Sequence, residues 1–444
     1  MDTPITDFLR EYAASGIRRM HMPGHKGKAV LDITEVAGAD ALYEAEGIIA
    51  ESEAHATALF GSGRTVYSTE GSSQCIRAML YLAMLYAKST GQEPRILAGR
   101  NAHHTFMTAA ALLDLQVDWL YPEHWESLVS CEITAEYLDR VLNHPTKPVA
   151  VYITSPDYLG NAADIAELGA VCHKHGVLLL VDNAHGAYLN FLPENRHPIA
   201  LGADICCDSA HKTLPVLTGG GYLHISKHAP ALFCQQAEKA LSLFASTSPS
   251  YLIIQSLDAA NRYLAEGYAE RLADFAQMIG SLKERLADYG YALLGNELLK
   301  ITIAPKNFGY TGEDLARILA ENGIICEFAD PDFIVFMLTP EISEQELDYF
   351  SKVLCAIPQK DMIYTKPPML SKPEQVCSIR EALFAVSKEV AVQDSLGQTL
   401  ASTRISCPPA IPIVVCGERI DEDAIQCLEY YGAETCQIIK NDFS

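Results

Sequence analysis

Cationic side chains are scarce in this chain. Its 444 residues include 33 Lys and Arg against 56 Asp and Glu, a formal net charge of −23. That balance argues against nucleic acid as a partner, because neutralising phosphates takes a basic surface. It argues equally against docking on an anionic membrane face. Long apolar runs are also missing, and no stretch approaches the roughly 20 residues that a membrane span requires. The opening MDTPITDFLREYAASG carries acids early and has no apolar centre, so it does not resemble a secretory signal. The 13 cysteines, an odd number, include no CxxC pair, so neither a zinc site nor a thioredoxin-like motif is expected and no metal is assigned. Scattered in this way, they are expected to be reduced and mostly buried, in a cytoplasmic protein. Two phosphate-binding signatures are wanting: there is no GxGxxG after the first strand and no GxxxxGKS/T, which argues against a plain nucleotide-binding α/β protein.

What is present fits a globular protein, with 49% hydrophobic and 20% charged residues. The length predicts two or three units of ~100–200 residues each. From about residue 64 to 225, strand and helix patterns alternate. Arg95–Gly99, Val149–Ile153 and Val177–Val181 are strand candidates. The last is apolar without interruption, as in parallel strands covered on both faces. Ser72-Ser73 precedes apolar positions at helical spacing and is expected to cap that helix. Asp164 is expected to cap another, with Gly176 ending it. Strand–helix repetition of this kind predicts an α/β fold. Residues 250–290 look like a long helical connection. A second unit with strands near Leu298–Ile303 and Asp332–Leu338 follows, then a Pro- and Lys-rich linker near Pro358–Pro373.

Sites in such sheets lie at the carboxyl ends of the strands, and reactive side chains collect there. Ser209-Ala-His-Lys-Thr-Leu-Pro215 follows an apolar strand. A lysine there can lose its charge to burial, become nucleophilic and condense with an aldehyde, although a solvated loop lysine is the plain alternative. Asp182 directly follows Val177–Val181, where a carboxylate is costly unless paired. Pyridoxal phosphate (PLP) needs both groups: a lysine for its aldehyde and an acid for its ring nitrogen. Gly71-Ser72-Ser73 at a helix start suits a phosphate. His103 and His185 are further candidates, His103 able to stack on a pyridine face and His185 to orient nearby groups. Taken alone, His103 reads better as a surface histidine and His185 as a satisfied core histidine.

Assembled in order, these segments resemble the ornithine/lysine/arginine decarboxylase family, within the fold-type I, aspartate aminotransferase superfamily of PLP enzymes. The resemblance runs through His21-Met-Pro-Gly-His-Lys-Gly27, Asp40-Ala-Leu-Tyr-Glu-Ala-Glu-Gly-Ile-Ile49, Tyr67-Ser-Thr-Glu-Gly-Ser-Ser73, Arg100-Asn-Ala-His-His-Thr105 and Ser155-Pro-Asp-Tyr-Leu-Gly160. It continues through Val181-Asp-Asn-Ala-His-Gly186, the Lys212 segment, Ser246-Thr-Ser-Pro-Ser-Tyr251, Ile379-Arg-Glu-Ala382 and Cys407-Pro-Pro-Ala-Ile-Pro412. It implies the short form of the family, without a receiver-like N-terminal wing. The implied domains are an N-terminal segment (1–50), a large PLP-binding domain with a mostly parallel sheet (51–270), a small α+β domain (271–365) and a C-terminal α+β decarboxylase-type domain (366–444).

The resemblance also implies roles. Lys212 would form the Schiff base, Asp182 would pair with the ring nitrogen, His103 would stack on the ring and His185 would lie beside it. Gly71, Ser72, Ser73, Ser209 and His211 would bind the phosphate. Ser246, Thr247 and Ser248 would reach the cofactor of a neighbouring subunit, making a homodimer or higher homo-oligomer. The implied activity is decarboxylation of a basic L-amino acid (arginine, lysine or ornithine) to its amine and CO2, feeding polyamine metabolism. Glu44, Glu46 and Glu327 are candidates for the substrate's distal charge. Another PLP reaction, such as transamination or elimination, or an inactive regulatory homologue, is the alternative, because a fold does not fix a reaction. Four features depart from the family's usual pattern: Asn183 in place of Glu, Asp157 in place of Thr, His104 in place of Lys, and Gly219-Gly220-Gly221 in place of a Gln-Gly pattern.

Overall fold

The structure is a computed structural model, and it describes residues 1–123, 127–369, 371–403, 406–407 and 411–440. Pro408, Pro409 and Ala410 of the C-terminal motif lie outside the described residues. The chain divides into two compact units, and it passes between them more than once. The first comprises 1–96, 134–155 and 164–273; the second comprises 97–133, 156–163 and 274–444.

The first seven strands are β1 (Arg64–Ser68), β2 (Arg95–Gly99), β3 (Gln116–Leu120), β4 (Ala150–Thr154), β5 (Leu178–Asp182), β6 (Ile205–Asp208) and β7 (Gly221–Ile225). In the first unit, five of them hydrogen-bond in the order β1-β7-β6-β5-β4. The pairs β4–β5 and β5–β6 are parallel, while β7 runs antiparallel to both β6 and β1. Residues of β5 and β6 are buried throughout, as the unbroken apolar pattern requires of strands covered on both faces. The helix Gly71–Thr90 buries Ile76, Met79, Leu80 and Ala83 at its helical spacing. Asp164 caps the helix Ile165–Lys174 by accepting from the Glu167 N–H, and Gly176 follows at φ +70.

The structure differs from the sequence expectation at two points. Ser72 and Ser73 are not helix caps: the helix starts at Gly71, and its N-cap, Glu70, makes no side-chain cap bond. Gly71 takes φ +67 and donates its N–H to the Gly219 carbonyl at 2.6 Å. The left-handed turn at this glycine starts the helix one residue early, so both serines stand inside its first turn. Asp182 likewise is the last residue of β5 rather than the first beyond it.

In the second unit, β8 (Ala292–Leu294), β9 (Lys300–Ala304), β10 (Phe328–Ala329) and β11 (Ile334–Met337) form an antiparallel sheet in the order β10-β11-β9-β8. The helices Gly312–Glu321 and Glu344–Ala356 belong to this unit, and the second opens with a capping box between Ser343 and Glu346. Ser387–Ala391 pairs antiparallel with Thr435–Ile439. Their surroundings are an apolar core that includes Ile413, Val414, Leu428 and Ile438. The helical connection expected over 250–290 is two helices, Tyr251–Ala265 and Tyr268–Tyr289.

Candidate active site

The carboxyl ends of β5 and β6 bring a lysine and a buried acid into one neighbourhood. Lys212 sits in the short helix Ala210–Thr213, directly after β6. Its Nζ lies 3.0 Å from His185 Nε2. Asp182 ends β5 and is 2% exposed. The Tyr152 hydroxyl donates to its Oδ2 at 3.0 Å, and the Ala184 N–H donates to its Oδ1 at 3.2 Å. The Cys207 thiol reaches the same Oδ1 at 3.7 Å. Burial pushes the Asp182 carboxyl above its ordinary range, while the Lys212 ammonium and these donors pull it back. A carboxylate in this position is stabilised by any cation brought into contact with it.

The second feature is the start of the helix Gly71–Thr90. Ser209 Oγ donates to Ser72 Oγ at 2.8 Å, so hydroxyls from two chain segments converge on one helix N-terminus, where the helix dipole favours an anion. A Cβ added to Gly71 would lie 3.3 Å from the His211 ring. The His211 ring binds the Gly220 carbonyl at 2.8 Å, and burial lowers its pKa. The Gly219-Gly220-Gly221 run has a steric reason. A Cβ at Gly219 would meet the Thr69 carbonyl at 2.7 Å, and one at Gly221 would meet Gly71 backbone at 3.0 Å. Gly219 and Gly221 therefore let the start of β7 pack directly on the Gly71 corner.

Ser73 is half-buried in the same first turn. Ser246, Thr247 and Ser248 are exposed; the Ser246 N–H donates to Glu70 Oε1 at 2.8 Å, next to the Gly71 corner. His103 belongs to the second unit, where it caps the helix His104–Leu113 by accepting from the Thr105 N–H. Glu44, Glu46 and Glu327 are exposed, and Glu327 accepts from the Tyr158 hydroxyl at 3.1 Å.

A polar layer not evident from the sequence lies beneath the site. Asp208, the last residue of β6, is fully buried. Its Oδ2 pairs with His197 Nε2 at 3.1 Å and His224 Nε2 at 3.2 Å, and its Oδ1 accepts from Asn183 Nδ2 at 2.7 Å. Burial alone would raise this carboxyl, but the two imidazoles outweigh it and hold the pKa well below the usual range. The unusual Asn183 is explained here, since an amide can donate to Asp208 and an ionised Glu cannot. His197, Asp208 and His224 are the one group among the described residues with metal-ligand geometry. The Ile199 N–H points at His197 Nδ1. That leaves the proton on Nε2, where it donates to Asp208 and occupies the lone pair a metal would need. The signal for Asp208 was a carboxylate closing the apolar run Ile205-Cys-Cys207. The signal for Tyr152 was a phenol within Val149–Ile153.

The donor set fits PLP: an amine for its aldehyde, a buried acid for its ring nitrogen, and a helix start lined by hydroxyls for its phosphate. A mostly parallel α/β sheet bearing these groups at one edge is the arrangement of fold-type I PLP enzymes. The comparisons with known proteins identify the branch. Residues 3–292 match the model of the Orn/Lys/Arg decarboxylase major domain, and the chain belongs to that family of PLP-dependent basic amino-acid decarboxylases. It is 29% identical to an arginine decarboxylase of Halalkalibacterium halodurans over 95% of this chain and 91% of the relative. It is also 29% identical to the uncharacterized protein YaaO of Bacillus subtilis, over 96% and 94% of the two chains. Among solved structures, the lysine decarboxylase LdcF of Francisella novicida superposes with TM-score 0.80 at 17% identity, covering 99% of this chain and 81% of that one. At that identity the match establishes the fold.

Proposed function

We propose that this enzyme decarboxylates a basic L-amino acid, with arginine first among arginine, lysine and ornithine. The product amine would feed polyamine synthesis. The observation that carries the reading is the 3.0 Å contact between Lys212 Nζ and His185 Nε2, at the sheet edge where Asp182 is buried. The names of full-length relatives favour arginine, two of them being arginine decarboxylases at 29% and 27% identity.

In this reading Lys212 holds PLP covalently, and Ser72, Ser73, Ser209 and His211 hold its phosphate, with Gly71 leaving room for it beside them. Asp182 keeps a proton on the ring nitrogen, its oxygens fixed by Tyr152 and Ala184. His103 covers the ring face. Bound there, PLP supplies an electron sink for the bond that breaks at Cα. With its amine free of the cofactor, Lys212 pairs with His185 to hold a proton, and we assign to this pair its delivery to Cα after CO2 leaves. The exposed Ser246–Ser248 stretch is free to meet a second copy of the chain, consistent with a homodimer. No helix among the described residues is long and apolar enough to cross a membrane, and a cytoplasmic location is part of the proposal.

The test incubates PLP-loaded protein separately with arginine, lysine and ornithine and follows CO2 and amine. Equimolar CO2 and amine from one substrate, absent in Lys212→Ala, is the expected result. A keto acid or ammonia without CO2 would overturn the reaction.

A further inference from the structure

The second unit holds a buried ion pair that the chemistry above does not use. Arg100 and Glu418 have side chains 3% and 1% exposed, with Nη2 and Oε2 3.0 Å apart. Arg100 also donates from Nη1 to the Pro412 carbonyl and from Nη2 to the Ile413 carbonyl, both at 3.0 Å. Glu418 Oε2 accepts the Val415 N–H at 2.6 Å as well. One guanidinium therefore closes the whole turn 412–418, and its Cζ lies 5.5 Å from the centroid of the Trp119 ring. A buried pair like this adds little net stability over an apolar filling, yet its fixed fork imposes one geometry.

That geometry is transmitted along a short length of backbone. Arg100 stands three residues before His103. Its N–H is bonded to the Leu120 carbonyl at 3.0 Å, and the Ala102 N–H to the Gly99 carbonyl at 3.1 Å. His103 then turns into its helix with Nδ1 fixed by the Thr105 N–H at 3.2 Å and by Thr105 Oγ1 at 3.0 Å. The segment from Arg100 to His103 has little freedom once Arg100 is clamped.

We propose that Glu418, acting through Arg100, is a positioning residue for His103, so that the C-terminal turn sets the orientation of the ring-facing histidine. This rests on the reading of His103 as the residue that covers the cofactor ring. Glu418→Ala would leave the Arg100 charge buried and unpaired, releasing the turn and the segment before His103 together.

The test is a mutant cycle read by titrating apo-protein with PLP and following the visible band. His103→Ala and Glu418→Ala are each expected to weaken PLP affinity by about tenfold, and the double variant to be no weaker than His103→Ala, because coupled residues are not additive. Glu418→Gln preserves the shape, guards against a folding failure, and is expected to show a smaller loss that also vanishes in the His103→Ala background. Losses that simply add, or wild-type affinity in both Glu418 variants, would overturn the coupling while leaving His103 in its role. An unchanged band and affinity in His103→Ala would instead remove the reading of His103, and the proposal with it.

Discussion

His185 Nε2 and Lys212 Nζ lie 3.0 Å apart at the carboxyl edge of the first unit's sheet, although 26 residues separate them in the chain. At that separation one nitrogen donates and the other accepts, so the pair shares a proton between two bases of different strength. Lys212→Ala is expected to abolish both the visible cofactor band and turnover. His185→Ala is expected to keep the band and lower kcat by about 10²–10⁴-fold, the range for loss of a general acid–base group. Spectra and single-turnover kinetics on the two variants separate these roles.

Asp182 makes a prediction of opposite sign in the presence and absence of cofactor. Loaded enzyme should lose about 10²-fold or more in kcat on Asp182→Asn, because the charge that holds the ring proton is gone. In apo-protein the carboxyl is raised by burial, with Lys212 partly offsetting it. A group raised on folding stabilises most when protonated in both states. Its contribution is lost as pH rises through the folded value. Apo Asp182→Asn is therefore expected to melt no lower than apo wild type at pH 8, with its relative stability falling in acid. Calorimetry of both apo-proteins across pH checks this.

Much of the candidate site could be proposed from sequence because its residues lie in contiguous segments. Lys212, Ser209 and His211 share one heptapeptide, Asp182 and His185 one hexapeptide, and strand ends display such segments together. The Ser72-Ser73 caps were misassigned because a cap preference is local, whereas the helix start was decided by Gly71 bonding to Gly219, nearly 150 residues on. The layer under the site was invisible for the same reason. Nothing near Asp208 announces that His197, His224 and Asn183 will converge on it. His224 reaches it through the antiparallel β6–β7 register, and His197 from the segment before β6.

That layer yields a stability prediction. Asp208→Ala would strand two imidazole N–H groups and the Asn183 amide in a fully buried space, at a cost of about 3 kcal/mol or more. Asp208→Asn keeps an acceptor for one or two of them and should cost less. The Asp208 carboxyl is depressed by the imidazoles against the pull of burial, so its contribution is present above the unfolded pKa and lost as pH falls toward the folded value. The wild type's advantage over Asp208→Asn is therefore expected to shrink in acid. Urea unfolding at pH 7 and at about pH 2.5, below the ordinary Asp value of 3.8, measures both effects, and an advantage that grows in acid would contradict the assignment.

Glu53 carries the complementary pH dependence on the alkaline side. It lies in the helix Ile48–Phe60, 5% exposed, and its Oε1 accepts the Tyr67 N–H at 2.9 Å. Burial pushes its carboxyl up to about 8, with the Tyr67 N–H and Arg64 pulling the other way. An acid raised this far is neutral in the folded protein at pH 6 and ionised in the unfolded chain, so folding takes up a proton. Stability from this residue is whole below the ordinary Glu range near 4.5 and declines as pH rises until about 8, where it levels off. Glu53→Gln keeps the acceptor for Tyr67 and removes the titration. The variant is expected to match or slightly trail wild type at pH 4.5 and to exceed it by about 1–3 kcal/mol at pH 8.5. Unfolding curves at the two pH values decide it, since a charged Glu53 neutralised by Arg64 would make the substitution destabilising at both.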